Sequence, residues 1–249
     1  MVTHDEGRHL EHTRRYYDAF SRRYDAARGG RVPGGYHDLV DDLELDFLSR
    51  HARGKSVLEV GCGTGLLLER MRDFAGDARG IDLSPGMLER ARSRGLDVVE
   101  GSATSLPFAD ASFDVACSFK VLAHVRDVRR AVGEMLRVVR PGGVVVAEFY
   151  NARSLRALVK RLGPAGAVAH DRDESEVYTR FDTPDEVAGL FAAAARIIDR
   201  RGVRIVTPAA RALELPVVGA ALRRAEQRLC DTVLARYAGF LSVAARKHA

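Results

Sequence analysis

At 249 residues, with 39 Lys and Arg against 34 Asp and Glu and a formal net charge of +5, the chain has the size of one α/β domain with a substantial core. Only Lys55, Lys120, Lys160 and Lys247 are lysines, and the arginines are scattered among acids, which argues against a continuous nucleic-acid-binding stripe. Cys62, Cys117 and Cys230 form no C-x-x-C pair, which argues against a disulfide framework or a metal site. The first nine residues are polar and no run reaches the roughly 18 apolar residues of a spanning helix, so a cytoplasmic protein without membrane insertion is expected.

Leu10 to Tyr24 has helical spacing and carries Tyr16, Tyr17, Phe20 and Tyr24. Gly29-Gly30 and Pro33-Gly34-Gly35 break it, and Asp38 to Ser49 reads as a second helix. The apolar run Val57-Leu58-Glu59-Val60 then enters Gly61-Cys62-Gly63-Thr64-Gly65, and Leu66 to Met71 leaves it as a helix. That is a buried parallel strand, a glycine turn and a helix start. Glycines at alternate positions let the chain turn sharply and bare its N–H groups near the positive end of a helix, where a ligand can lie against main chain. Ala78 to Asp82 is the next strand, and Ser84-Pro85 caps and starts a helix whose apolar face uses Met87, Leu88 and Ala91. Asp97 to Gly101 is a third strand and Ser112 to Phe119 a fourth. Asp127 caps a helix with Val128, Ala131, Met135 and Val138 on its apolar face. Arg140-Pro141-Gly142-Gly143 reads as a turn before a fifth strand, Val144 to Tyr150. Further on, Ser154 to Leu162 reads as a short basic helix and Gly163 to Ser175 as a loop. Thr183-Pro184-Asp185-Glu186 is a capping box for a helix over Val187 to Ala195. Arg196 to Thr207 reads as a sixth strand, Leu222 to Leu229 as a helix, and Gly239 to Ala245 as the closing strand. Nothing repeats, so a single domain over 1–249 is expected: a helical lid (1–50), a cofactor-binding core (51–150), and acceptor-covering helices with the last two strands (151–249).

The glycine spacing departs from the dinucleotide fingerprint G-x-G-x-x-G, because the third glycine comes one residue early. Glu59-Val-Gly61-Cys62-Gly63-Thr-Gly65, followed by Gly80-Ile-Asp82-Leu-Ser84-Pro-Gly-Met87-Leu, Leu106-Pro107-Phe108, Phe113-Asp114 and Arg140-Pro141-Gly142-Gly143, resembles the Rossmann-like S-adenosylmethionine-dependent methyltransferases. The likeness is to their ubiquinone/menaquinone-type and small-molecule branch, and it covers residues 55 to 150 closely. The resemblance implies an α/β three-layer sandwich on a seven-stranded, mostly parallel sheet with the last strand antiparallel. It implies S-adenosyl-L-methionine as cofactor, with S-adenosyl-L-homocysteine as product. The cofactor residues are then the turn residues Glu59, Gly61, Cys62, Gly63 and Gly65, with Asp82 for the ribose hydroxyls. Leu83 and Met87 would pack the adenine ring, and Tyr24 would close over the methionine end; ordinary core for Met87 and packing against the sheet edge for Tyr24 are the alternatives. Position 102 departs from the family's usual Asp, so adenine recognition is expected to rest on Ser102 less than on the backbone of Ala103 and Thr104. Phe119 and Lys120 are expected at the crevice beyond the fourth strand, although a solvated Lys120 is the alternative.

A sulfonium methyl is already electrophilic, so the protein's task is alignment and charge. A general base is needed only for a weakly acidic acceptor such as a phenol or alcohol. His124, just past the fourth strand, is the candidate catalytic residue, with a packed histidine as the alternative. His37, Tyr150 and His170 are possible acceptor contacts without motif support. The expected acceptor is a small molecule, with O-methylation of a secondary metabolite or quinone-like compound favoured over C- or N-methylation. An RNA or protein methyltransferase would want an appended recognition module. An NAD(P)-linked oxidoreductase is disfavoured by the early glycine. The residues say nothing of oligomeric state.

Overall fold

The computed structural model describes residues 4–28, 34–154, 157, 178–207 and 209–249. Seven strands build one sheet: β1 (Ser56–Val60), β2 (Asp77–Asp82), β3 (Asp97–Glu100), β4 (Phe113–Ser118), β5 (Val139–Tyr150), β6 (Ala195–Val203) and β7 (Phe240–Lys247), in the order β3-β2-β1-β4-β5-β7-β6. β1 to β5 pair in parallel, and β7 runs antiparallel to both β5 and β6. The helices are α1 (His4–Ala27), α2 (Tyr36–Ala52), α3 (Leu66–Met71), α4 (Pro85–Ser93), α5 (Val128–Val138), α6 (Pro184–Phe191) and α7 (Pro216–Leu229). The expected architecture is therefore present, with the last strand as the antiparallel one.

The central strands are apolar runs because both of their faces are covered. Leu58, Val60, Ala116, Val145 and Phe149 face a cluster with α5 and α6, while Val57, Val115, Cys117 and Val146 face one with α2, α3 and α4. Side chains alternate along a strand, so Glu59 and Glu148 point to the second face. A third cluster joins Leu39, Val40 and Leu43 of α2 to Ala123, Tyr150, Val203 and Phe240, with Leu222 of α7 packed on it.

Local chemistry sets the boundaries. Ser84 accepts from Met87 N at 3.2 Å, Asp127 accepts from Arg130 N, and Thr183 with Glu186 closes a full capping box. Three sequence expectations are corrected. Arg140 to Gly143 is not a turn ahead of β5 but a bulge within it: the register jumps between Phe113↔Val139 and Val115↔Val144, and Gly142 takes φ +76°. β6 stops at Val203 rather than Thr207. The buried Glu226 carboxylate accepts the N–H groups of Ile205, Val206 and Thr207, each at 2.8 Å, and so draws the chain out of the sheet. α7 begins at Pro216, six residues before the expected helix; its first turns are exposed and give no amphipathic signal. The basic helix expected from Ser154 and the loop with His170 lie outside the described residues, apart from Ser154 and Ala157. Among the described residues, no helix is long and apolar enough to cross a membrane.

Candidate active site

The three glycines of the turn do different work. A Cβ on Gly61 (φ +80°) would lie 2.3 Å from a Val121 methyl, and one on Gly65 (φ +82°) 2.3 Å from a Leu96 methyl. Both are glycine because neighbours sit where a side chain would go. Gly63 (φ +54°) has nothing within 4 Å of its missing Cβ. It is the glycine that keeps space open for a ligand. Gly65 is not on the cavity wall; it is the left-handed cap of α3.

That cavity lies at the carboxyl ends of β1, β2 and β4, where open parallel sheets bind ligands. Its wall includes Glu59, Gly61, Cys62 and Gly63 from β1 and the turn, then Asp82, Leu83 and Met87. Ser102, Ala103, Thr104, Phe119, Lys120 and His124 complete that side, and Tyr24 faces them from α1. Apart from Gly65, the structure brings every residue expected to hold the cofactor, together with His124, to one hollow, while Tyr150, expected as a possible acceptor contact, is not on its wall.

Asp82 fastens the turn. One of its oxygens accepts Gly63 N at 2.8 Å and the other Ser84 N at 2.9 Å. Burial pushes its carboxyl up, and those N–H bonds oppose the rise. Each oxygen keeps a second lone pair for a ligand hydroxyl. Glu59 is 3% exposed, and its Oε2 has no hydrogen-bond partner among the described residues. Burial first, and Asp82 second, raise its carboxyl well above the usual range. A buried carboxyl oxygen without a donor is a place for a ligand's N–H or cation. Ser102 caps its own turn, accepting Thr104 N at 3.2 Å and meeting the Thr104 hydroxyl at 3.0 Å.

Lys120 departs from its expected role. Its backbone borders the cavity in a left-handed conformation (φ +60°), but its ammonium runs to Glu44 (2.9 Å) and Asp41 (3.1 Å) of α2. Burial would lower that ammonium, yet Glu44 and Asp41 raise it. The ammonium is thus spent on two carboxylates of α2. It neutralises a buried acidic cluster that also holds Glu148, whose carboxyl, like that of Glu44, burial pushes up.

Sequence reasoning under-read α1. Leu10, Thr13, Tyr17 and Arg28 join Tyr24 on the wall. The helix is latched at two points. Asp18 accepts Ser84 Oγ and Gly86 N, both at 2.7 Å, and Asp25 accepts Thr64 Oγ1 and Arg94 Nη2, both at 2.6 Å. Asp25 itself is not on the cavity wall. Such contacts join residues far apart in sequence and leave no local pattern. Arg28 donates to Asp41 at 2.6 Å and sits beside the Tyr24 ring.

His124 borders the same hollow from a 3₁₀ turn, Leu122–His124. Its Nδ1 lies 3.0 Å from the carbonyl oxygen of Tyr178. Thr179 Oγ1 lies 3.4 Å from the same nitrogen; a carbonyl only accepts, so the contact with Tyr178 calls for the hydrogen on Nδ1. The Tyr150 ring meets the imidazole edge-on at 5.7 Å.

His37, expected only as a loose acceptor contact, is absent from this wall. Burial, then Arg28 and Lys120, lowers its imidazole from 6.5 to about 4. The unfolded chain therefore takes up a proton that the folded chain refuses until about pH 4. The contribution of His37 to stability will be lost as pH drops from about 6.5 through about 4, while the buried carboxyls of Glu44, Glu59 and Glu148, which burial pushes up, contribute in the opposite sense. Urea unfolding of wild type and His37→Asn at a series of pH values will isolate the histidine: wild type will lose stability relative to the variant as the pH falls through that window, and equal pH profiles would refute the assignment.

With this geometry in view, the comparisons are specific. A family model described as "Methyltransferase domain" matches residues 58–147. A ubiquinone biosynthesis O-methyltransferase of Paraburkholderia phymatum is 34% identical over 178 residues, 67% of this chain and 76% of that one. The chain belongs to the S-adenosylmethionine-dependent methyltransferases. A demethylmenaquinone methyltransferase of Renibacterium salmoninarum is 44% identical over 99 residues, covering 39% of this chain and about two fifths (42%) of its own length. A methyltransferase structure from Thermotoga maritima, described as a possible histamine N-methyltransferase, superposes with TM-score 0.65 over 94% of this chain and 99% of its own, at 20% identity, and shows the fold alone. The methyltransferase cofactor fits the residues present. Asp82 could accept ribose hydroxyls, the orphaned oxygen of Glu59 an ammonium, and the bare edge at Gly63 the cofactor's close approach, with Leu83, Met87 and Ala103 as an apolar bed.

Proposed function

We propose that this methyltransferase methylates a hydroxyl oxygen of a small, largely apolar acceptor, a quinone-like or secondary metabolite. Bound S-adenosylmethionine supplies a methyl carbon made electrophilic by its sulfonium. Asp82 holds the ribose, Glu59 faces the amino-acid end, and Leu83 and Met87 sandwich the adenine with the backbone of Ala103 and Thr104. Tyr17 and Tyr24 on α1 exclude water above the reacting atoms. The observation that carries the reading is His124, on the cavity wall with its Nδ1–H committed to the Tyr178 carbonyl. Its Nε2 is then the atom that takes the acceptor's hydroxyl proton as the new oxygen–carbon bond forms. The Paraburkholderia relative, named as an O-methyltransferase, supports oxygen as the nucleophile.

The test supplies the purified chain with S-adenosylmethionine labelled in the methyl group and, in parallel, metabolite extract, total RNA and histones. Label is expected in a small product carrying an O-methyl group by NMR. Label in RNA or histones, or a product methylated on carbon or nitrogen, would refute the reading.

A further inference from the structure

Outside the cavity, one segment stands apart from the rest of the surface. Six of the eight large apolar side chains exposed among the described residues fall between Leu215 and Tyr237: Leu215, Val217, Val218, Val233, Leu234 and Tyr237. Val217 and Val233 are 83% and 81% exposed. Residues 217, 221, 224 and 228 recur on one side of a 3.6-residue helix, and all four are exposed. The outer stripe of α7 is therefore Val217, Ala221, Arg224 and Arg228, apolar at its start and basic at its end. After it the 3₁₀ turn Val233–Tyr237 shows its apolar residues to solvent again, with Arg236 over the Tyr237 ring.

The charges on this segment are one-sided. Glu226 is buried and spent on N–H groups, and Asp231 is tied to Arg50 and Arg201. Among the described residues, the exposed Arg211, Arg224, Arg228 and Arg236 meet no carboxylate, and Glu214 is the only exposed acid left to offset them.

We infer that α7 and the turn after it form a docking face for an anionic phospholipid surface. Such a surface accepts both halves of the face: valine, leucine and tyrosine enter the interfacial zone while arginine heads stay among phosphates. A second copy of the chain fits less well. A two-fold contact sets a face against itself, which here would gather eight arginines, four from each copy, in one contact. The inner side of α7 packs through Leu222 on the cluster containing Ala123 and Tyr150, the neighbours of His124. α7 is thus joined through that cluster to the segment that carries His124. This inference does not depend on which atom of the acceptor is methylated.

The test is flotation of the full chain with vesicles of phosphatidylcholine alone and of phosphatidylcholine and phosphatidylglycerol in equal parts. Wild type is expected to float with the anionic vesicles, not the neutral ones, and to be released by high salt. R224E/R228E should bind about tenfold more weakly or worse, and V217S/V233S should also float less. Both pairs are exposed, so melting temperature and S-adenosylmethionine binding should match wild type. A wild-type chain that stays down with anionic vesicles, or either double variant floating like wild type, overturns the inference. Sedimentation showing a dimer that V217S/V233S dissolves would assign the face to a second copy and overturn it equally.

Discussion

Asp82→Ala will bind S-adenosylmethionine on the order of a hundredfold more weakly than wild type, or worse. Hydrogen bonds to a charged group contribute roughly 1.5–3 kcal/mol each, and the proposed site gives this carboxylate two ribose hydroxyls. Losing two such bonds costs about 3 kcal/mol or more, which is two decades of affinity. The substitution also strips Gly63 N and Ser84 N of their acceptor, so the turn itself loosens. Gly63→Val separates the two effects. It leaves Asp82 in place but sets a branched side chain into space where no protein atom lies within 4 Å, at a φ of +54° that such residues rarely adopt. Titration calorimetry, with thermal melts to verify folding, is the measurement. Two folded variants that bind like wild type would remove the cofactor from this turn.

The second large effect is expected at His124. Replacing it by alanine should lower kcat by roughly 10²–10⁴-fold while leaving S-adenosylmethionine affinity close to wild type, because the imidazole is proposed to act on the acceptor. The Tyr178 carbonyl holds hydrogen on Nδ1, so glutamine, which has no basic nitrogen, should not restore turnover. A loss confined to the acceptor KM would make His124 a positioning group. A variant that melts early yet turns over normally when folded would make it a packing residue.

The sequence was most readable where burial is two-sided. β1 and β4 announce themselves as largely apolar runs, and Glu59 within β1, Asp82 at the end of β2 and Lys120 just past β4 mark the carboxyl ends where the cavity opens. Gly61, Gly63 and Gly65 looked alike as a motif because their neighbours, Val121 and Leu96, come from more than 30 residues away and are not visible in the turn itself. The partners of the Lys120 ammonium are illegible for the same reason: its carboxylates come from α2, some 80 residues earlier. The latches of α1, Asp18 on Ser84 and Asp25 on Thr64, resemble any surface acids of a charged helix until the partner is folded against them. Arg140 to Gly143 has the composition of a turn, and only the register of β4 against β5 shows that the strand runs on past it.

The position of β7 in the sheet has a consequence during synthesis. β6 is made before β7, yet among the described residues it pairs in the sheet with β7 alone, and the far edge of β5 is covered by β7. While the ribosome is adding α7 and the turn after it, β5 presents an open row of backbone donors and acceptors and β6 waits without a neighbour. Unpaired edges of this kind are where chains join one another. The nascent protein is therefore most exposed to aggregation between the synthesis of β6 and that of β7, and the arrival of residues 240–247 closes both gaps at once.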